Sequence, residues 1–331
     1  MSNLLVTPEE AAERLLALDR VLVLTHRRPD GDTIGSAAAL VRGLRSLGKT
    51  AYACPNPDLT PRYEPFLVPC YPPEGFVPDA VAAVDIAAET LLPDSMRAYA
   101  AQTALSIDHH GTNRLFARET CVEPDSAATG ELVYAILRRM GAEIDAQTAD
   151  ALYTAISTDT GCFRYSSTTP RTHRIVAELM DAGCRAAYLN QELFEIRTPA
   201  RVAIESAVLR DIAYYASGAV AVAKVSQALV ARTGATEDDM ETLSSMARRI
   251  EGVRVGATLY ERREGIKISV RTDETADASA ICARFGGGGH PRAAGCTLTG
   301  EGMTLDTASR EIRCAIFDLV EGLSWTDSDR Q

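Results

Sequence analysis

Along the first half of the chain, short apolar runs alternate with stretches of helical periodicity. Val21-Leu22-Val23-Leu24, Thr50 to Cys54, Ala80 to Val84 and Thr103 to Ile107 are of strand length and apolar on both faces, as parallel strands covered on both sides must be. Thr7-Pro8-Glu9-Glu10 supplies a cap, a first-turn proline and first-turn acids, which opens a helix to about Leu18. Ile34 to Leu47 carries Ala, Leu and Val at helical spacing and stops at Gly48. Further helices are expected over Ser126 to Met140, Ala146 to Ser157 and Pro170 to Ala182. The pattern defines a doubly wound α/β domain, in which ligands bind outside the carboxyl ends of the strands.

After Gly183 the pattern changes. Tyr188 to Arg210 reads as an amphipathic helical connector. Val220 to Val225, Val253 to Tyr260 and Ile266 to Arg271 alternate with period two, and Arg263-Glu264-Gly265 joins the last two as a hairpin. The expected organisation is a first domain over 1–185, a connector over 186–210 and a smaller mixed α/β domain over 211–331.

The ends of the first-half runs are unusual. Val21 to Leu24 leads into Thr25-His26-Arg27-Arg28-Pro29-Asp30-Gly31-Asp32, Val84 into Asp85, and Ile107 into Asp108-His109-His110. Asp159 closes Ala155 to Thr158, and of only five histidines in the chain, three lie in these segments. A single acid after a strand is ordinarily a cap or turn residue. Several together indicate convergence on a ligand. His26, Asp30, Asp85, Asp108 and His109 fall at or just past strand ends, whereas Asp159 follows a helical pattern and joins them on chemical grounds alone. Carboxylates mixed with imidazoles suit Mn²⁺, Mg²⁺, Fe²⁺ or Zn²⁺, and the excess of carboxylate favours Mn²⁺. The donors are too many for one ion but suit a pair about 4 Å apart. Gly35-Ser36-Ala37 is expected to open a helix with amides facing an anion.

Composition narrows the setting. The 331 residues are 46% hydrophobic and 24% charged, as in a globular protein. No apolar stretch approaches a membrane span, and Met1-Ser2-Asn3-Leu4 lacks the start of a signal peptide, so a cytoplasmic location is the default. The eight cysteines form no C-x-x-C pair, which speaks against a zinc ribbon or redox motif. A net charge of −11 argues against tight binding along duplex DNA. From Arg248 to Arg292, however, nine Lys or Arg face six Asp or Glu, enough to serve a small phosphorylated ligand.

The ordered motifs T-H-x-x-P-D-G-D-x-x-G-S (Thr25 to Ser36), V-D (Val84-Asp85), D-H-H-x-x-N (Asp108 to Asn113), T-D-T-G-x-F-R-Y (Thr158 to Tyr165) and G-G-G-H-x-x-A-A-G (Gly287 to Gly295) make the chain resemble the DHH-DHHA1 phosphoesterases. The likeness is to the nanoRNase and phosphoadenosine-phosphate phosphatase branch, over nearly the whole chain. It implies two metal ions, with His26, Asp30 and Asp85 on one and Asp32, Asp85, His109 and Asp159 on the other. It also implies that Asp108 orients a histidine and that His110 faces the substrate phosphate. Gly287, Gly288, Gly289, His290 and Arg292 would meet the nucleotide, with Arg164 on a phosphate. The implied site is a cleft between the domains. The implied substrates are short oligoribonucleotides and linear dinucleotides, with phosphoadenosine phosphate as a further one; a homodimer is compatible with this.

Cyclic di-AMP hydrolysis is the nearest rival. An inorganic pyrophosphatase shares the metal motifs but lacks the Gly-rich run, and a long single-strand exonuclease would need an added domain and a basic channel. A non-catalytic nucleotide sensor on the same fold would be expected to have lost ligands, and none is missing here.

Overall fold

The structure is a computed structural model and describes residues 4–323. Met1 to Asn3 of the N-terminal reading, and residues 324–331 of the expected second domain, lie outside the described residues. The chain divides into two compact units between Ile196 and Arg197, inside the segment expected as a connector.

In the first unit, β1 (Leu4–Leu5), β2 (Val21–Leu24), β3 (Ala51–Ala53), β4 (Ala80–Val84), β5 (Thr103–Asp108) and β6 (Glu119–Val122) form an all-parallel sheet in the order β1-β6-β5-β4-β2-β3. Its helices are α1 (Pro8–Ala17), α2 (Gly31–Ser46), α3 (Glu64–Leu67), α4 (Thr129–Met140), α5 (Ala146–Asp159), α6 (Pro170–Asp181) and α7 (Ala186–Asn190). Alternate strand residues explain the two-faced apolar runs. Val21, Val23, Ala82, Val84 and Ile107 pack on one side with Leu15, Ile34, Leu40, Leu132 and Ile156 of the helices. Leu22, Leu24, Val81 and Ala83 pack on the other with Ile86, Leu92, Met96 and Ala100, much of that cover being the 3₁₀ segment Asp94–Gln102.

The strands β1 and β6 escape the sequence pattern. The first has two half-exposed leucines, and the second carries Glu119 within a short run. Helix α2 also begins earlier than expected, at Gly31, because the Asp30 carboxylate caps it by accepting the amides of Asp32 (3.1 Å) and Thr33 (3.2 Å). The Gly35 region is therefore helix interior rather than an anion-receiving terminus.

In the second unit, β7 (Ala213–Tyr215), β8 (Val220–Val225), β9 (Val255–Arg262), β10 (Gly265–Thr272), β11 (Gly288–His290) and β12 (Ala293–Leu298) form a mixed sheet in the order β11-β12-β10-β9-β8-β7. Only β8 and β9 run parallel. One face packs on α12 (Ala278–Ala283) and α13 (Leu305–Leu319), the other on α8 (Pro199–Arg210), α9 (Gln227–Thr233), α10 (Glu237–Met240) and α11 (Leu243–Met246).

Candidate metal centre

From β2 the chain turns to β3 on one side and later to β4 on the other. The carboxyl ends of β2 and β4 therefore border the crevice where such sheets bind ligands. His26 lies just past β2, Asp85 follows β4 directly, and Asp108 ends β5 with His109 and His110 beyond it.

Asp85 is buried and holds a left-handed φ of 61°, with its amide bonded to Ile107 O at 2.8 Å. Its two oxygens point to different partners. Oδ2 lies 3.5 Å from His26 Nε2, while Oδ1 lies 3.8 Å from His109 Nε2 and 3.5 Å from His110 Nδ1. A non-glycine residue in this strained conformation is a common mark of a functional site. His26 donates from Nδ1 to its neighbour's carbonyl, Arg27 O, at 3.0 Å, and so aims Nε2 at Asp30 (3.6 Å) and Asp85. His109 donates from Nδ1 to Ser126 O at 3.1 Å and aims Nε2 at Asp159 (3.5 Å), Asp32 (3.8 Å) and Asp85.

The groups His26–Asp30–Asp85 and Asp32–His109–Asp159 each gather ligand atoms within 4.8 Å of one another, and so does Asp85–His109–His110. In the last group His110 Nδ1 already donates to Asp108 at 2.7 Å. Asp108 is fully buried and also accepts the amides of His109 and His110 and the Asn113 side chain. These bonds fix the His110 ring through Nδ1, where the family resemblance implied that Asp108 orients a histidine.

The convergence of Asp159, which the sequence left to chemistry, comes from helix packing. A Cβ on Gly31 would stand 2.4 Å from Thr158 Oγ1, and one on Gly35 would stand 2.3 Å from Ala151 O. Glycine at both positions lets α2 and α5 cross closely, which brings Asp159 at the end of α5 to Asp32 in the first turn of α2.

Several contributors carry no sequence motif. Asp32 is buried and accepts the amides of Thr129 (2.7 Å) and Gly130 (3.0 Å) and the Ser36 hydroxyl (3.1 Å). The Thr129 hydroxyl donates to Asp85 at 3.0 Å. Backbone amides leave no trace in residue identity. Of the groups that hold Asp32 and Asp85 in this way, Thr129 and Gly130 lie outside every recognised motif and Ser36 lies inside one.

Without a cation the cluster is electrostatically unfavourable. Burial, then Asp85, Asp159 and Asp30, push the Asp32 carboxyl well above the usual range. Burial also takes Asp159 up to about 7; Asp30 and Asp85 add to the rise, and His109 and His110 oppose it. Burial would lower His110, but its bond to Asp108 and the charges of Asp85, Asp108 and Asp159 outweigh it and raise the imidazole to about 9. His26 is likewise raised, against burial, by Asp30 and Asp85. Carboxylates crowded beyond their mutual tolerance, beside imidazoles whose second nitrogens are fixed by carbonyls, are the donor set a divalent cation requires.

The second-unit candidates are built differently. A Cβ on Gly287 would meet Gly295 O at 2.2 Å, and Gly289 combines a φ of 147° with Ala293 O at 2.6 Å from its would-be Cβ. Both glycines serve the β11–β12 hairpin. Around Gly288 no atom lies within 4 Å of that point. His290 is exposed. Arg292 bonds inward to Ala276 O (2.5 Å), Thr272 Oγ1 (3.4 Å) and Glu274 O (3.5 Å), a structural employment that its motif did not suggest. Arg164 is exposed, with Nε on Gly161 O, and His173 is exposed, its ring 5.6 Å from that of Phe163.

A parallel sheet with acids and imidazoles at its switch point, followed by a mixed-sheet unit with a Gly-rich hairpin, defines a two-part α/β architecture with a candidate metal centre. Residues 20–156 match the DHH family, N-terminal domain, and residues 217–314 match the DHHA1 domain. The chain belongs to this DHH family with a DHHA1 domain. It is 34% identical to the bifunctional oligoribonuclease and PAP phosphatase NrnA of Thermus thermophilus, over 92% of each chain. To the Bacillus subtilis protein of the same name it is 24% identical, over 85% of this chain and 90% of the other. The solved structure of an exopolyphosphatase-related protein from Bacteroides fragilis superposes with a TM-score of 0.82 at 26% identity, covering 93% of this chain and 95% of that one.

Proposed function

We propose that this protein is a metal-dependent phosphoesterase that hydrolyses short oligoribonucleotides and linear dinucleotides of the pApA or pGpG type, and that also removes the 3′-phosphate of phosphoadenosine phosphate. The observation that carries this reading is the meeting of six acids and imidazoles around Asp85 at the sheet's switch point. Near full-length similarity to relatives named for those two activities supports it.

His26, Asp30 and Asp85 would hold one divalent cation, and Asp32, His109, Asp159 and again Asp85 the other, with Mn²⁺ favoured by the carboxylate-rich set. Such a pair, when bound, lowers the pKa of water and neutralises phosphoryl oxygens. The chain's own groups do the rest. Asp85 addresses both sides through separate oxygens. His110, held through Nδ1 by Asp108, would face the substrate phosphate through Nε2, as a hydrogen-bond donor or as the acid for the leaving oxygen. Gly288, with its neighbours Gly287 and Gly289, offers open backbone to a nucleotide, and His290, Arg292 and Arg164 supply positive or polar partners. Among the described residues no helix is long and apolar enough to cross a membrane.

The test is a product profile. Chelated protein is resupplied with Mn²⁺, Mg²⁺ or Ca²⁺ and offered dinucleotides, long RNA, cyclic di-AMP, phosphoadenosine phosphate and pyrophosphate. Mn²⁺ is expected to restore cleavage of dinucleotides and phosphoadenosine phosphate, with Ca²⁺ ineffective because it prefers larger, more flexible oxygen cages. Undiminished turnover after complete chelation, or faster cleavage of cyclic di-AMP or pyrophosphate than of linear dinucleotides, would overturn the reading.

A further inference from the structure

The turn from Ser126 to Gly130 touches three of the candidate ligands at once. Ser126 O fixes the His109 ring, the amides of Thr129 and Gly130 hold Asp32, and the Thr129 hydroxyl holds Asp85. Where this turn stands therefore decides where those three groups stand.

Two acids grip the turn. Glu123 accepts the Ser126 hydroxyl through Oε2 at 3.2 Å and the Ser126 amide through its carbonyl at 3.0 Å. Glu131, fully buried in the first turn of α4, accepts the Ala127 amide through Oε2 at 3.4 Å. Its Oε1 is buried with no hydrogen-bond partner among the described residues. One arginine reaches both acids: Arg171 on α6 places Nη1 3.2 Å from Glu123 Oε2 and Nε 3.9 Å from Glu131 Oε2.

A buried carboxylate with one oxygen unmatched is costly. A first-turn acid does favour a helix, but an exposed one would do so without that cost. The partly exposed Arg171–Glu123 pair is of the kind that adds little to stability. Positioning accounts for what the trio does contact: both acids hold the Ser126–Ala127 backbone or side chain, and Arg171 joins the two acids.

We infer that Arg171, Glu123 and Glu131 form a latch that fixes the Ser126–Gly130 turn against the cluster, and so set the metal affinity of the Asp32–His109–Asp159 position without touching a metal or the substrate. This rests on the metal-centre reading above. The three are positioning residues. The His26–Asp30 side shares only Asp85 with the turn, so it depends on the latch less.

The test uses full-length chelated protein as wild type, Arg171→Ala, Glu131→Gln, the double variant, and Arg174→Ala, an exposed arginine on the same helix, as a charge control. Mn²⁺ binding is followed by calorimetric titration, and unfolding is measured with and without Mn²⁺. Arg171→Ala and Glu131→Gln are each expected to weaken one Mn²⁺ step by about tenfold or more, the scale typical of groups behind a ligand. The other step and the metal-free Tm should be nearly unchanged. The double variant should be no worse than the more affected single one, because both act through one turn. Arg174→Ala should titrate as wild type. Wild-type Mn²⁺ affinity in both latch variants overturns the inference. So does an equal fall in metal-free and metal-loaded Tm with affinity retained, which is the signature of a merely structural role. Absence of Mn²⁺ binding by the wild type would instead overturn the underlying metal-centre reading.

Discussion

The Asp32 carboxylate accepts the backbone amide of Thr129 at 2.7 Å, across 97 positions of sequence. Thr129 opens α4, whose own N-cap, Ala128, has no side chain able to cap it. An acid on α2 therefore does two jobs: it caps a distant helix and faces the cluster. The helix terminus favours its ionised form, against the burial and neighbouring acids that favour the protonated one. The site is thus tied into the scaffold by the same atoms that would hold a cation.

Asp85→Asn tests the shared carboxylate. Asn tolerates the left-handed backbone that Asp85 adopts, so the change removes charge with little added strain. Turnover should fall by about a thousandfold or more, as expected when several kcal/mol of charge stabilisation are lost. The metal-free Tm should hold or rise as crowding among Asp32, Asp85 and Asp159 is relieved. Full activity at saturating Mn²⁺ would rule out a bridging role.

Gly35→Ala tests the helix crossing. The new methyl would collide with Ala151 O, and overpacking of this kind costs about 1–3 kcal/mol. That exceeds the roughly 1 kcal/mol that alanine gains over glycine in a helix. Unfolding should shift to lower temperature, and Mn²⁺ affinity should drop as α5 carries Asp159 away from Asp32. A variant more stable than wild type with intact Mn²⁺ binding would show that the crossing does not set the cluster.

What could be read beforehand follows from how each residue is held. His26, Asp85, Asp108 and His109 lie next to apolar strand runs, so strand ends located them without knowledge of long-range packing. Asp159 depends on a helix crossing set by Gly31 and Gly35, and local periodicity carries no such information. Thr129, Gly130 and Ser126 act mainly through backbone atoms. The second unit's β11 was hidden because Gly288-Gly289-His290 has no alternation to mark a strand. Two of the three inward bonds of Arg292 go to carbonyls of Glu274 and Ala276, which any residue could supply.

The pH dependence of the chelated protein has a definite sign. Asp159, taken from 3.8 to about 7 by folding, disfavours the ionised native state, so stability falls as pH rises between those values. His110, raised from 6.5 to about 9, contributes stability that is complete below 6.5 and lost as pH climbs through 9. Asp32 and His26 are shifted in the same upward sense. Asp30, held at about 2, and Asp108, also lowered, act oppositely, but only on the acid side of 3.8. Tm without metal should therefore decline steadily from about pH 5 to about pH 9. Saturating Mn²⁺ should flatten or reverse the slope, since its ligands must be deprotonated to bind. A chelated Tm that rises over this interval would contradict the assigned electrostatics.

Gly287→Ala and Gly288→Ala separate folding from recognition in the Gly-rich hairpin. A methyl at 287 would strike Gly295 O and Cys296, so that variant should be destabilised whatever the substrate. A methyl at 288 has open space around it and should leave Tm nearly unchanged. If nucleotide does approach this backbone closely, Gly288→Ala should raise KM for dinucleotides by between about fivefold and a hundredfold, the equivalent of about 1–3 kcal/mol of steric conflict. Hydrolysis of bis-p-nitrophenyl phosphate, which has no nucleoside to place, should continue at the wild-type rate. An unchanged dinucleotide KM would remove Gly288 from the nucleotide site and leave the hairpin glycines with a purely structural purpose.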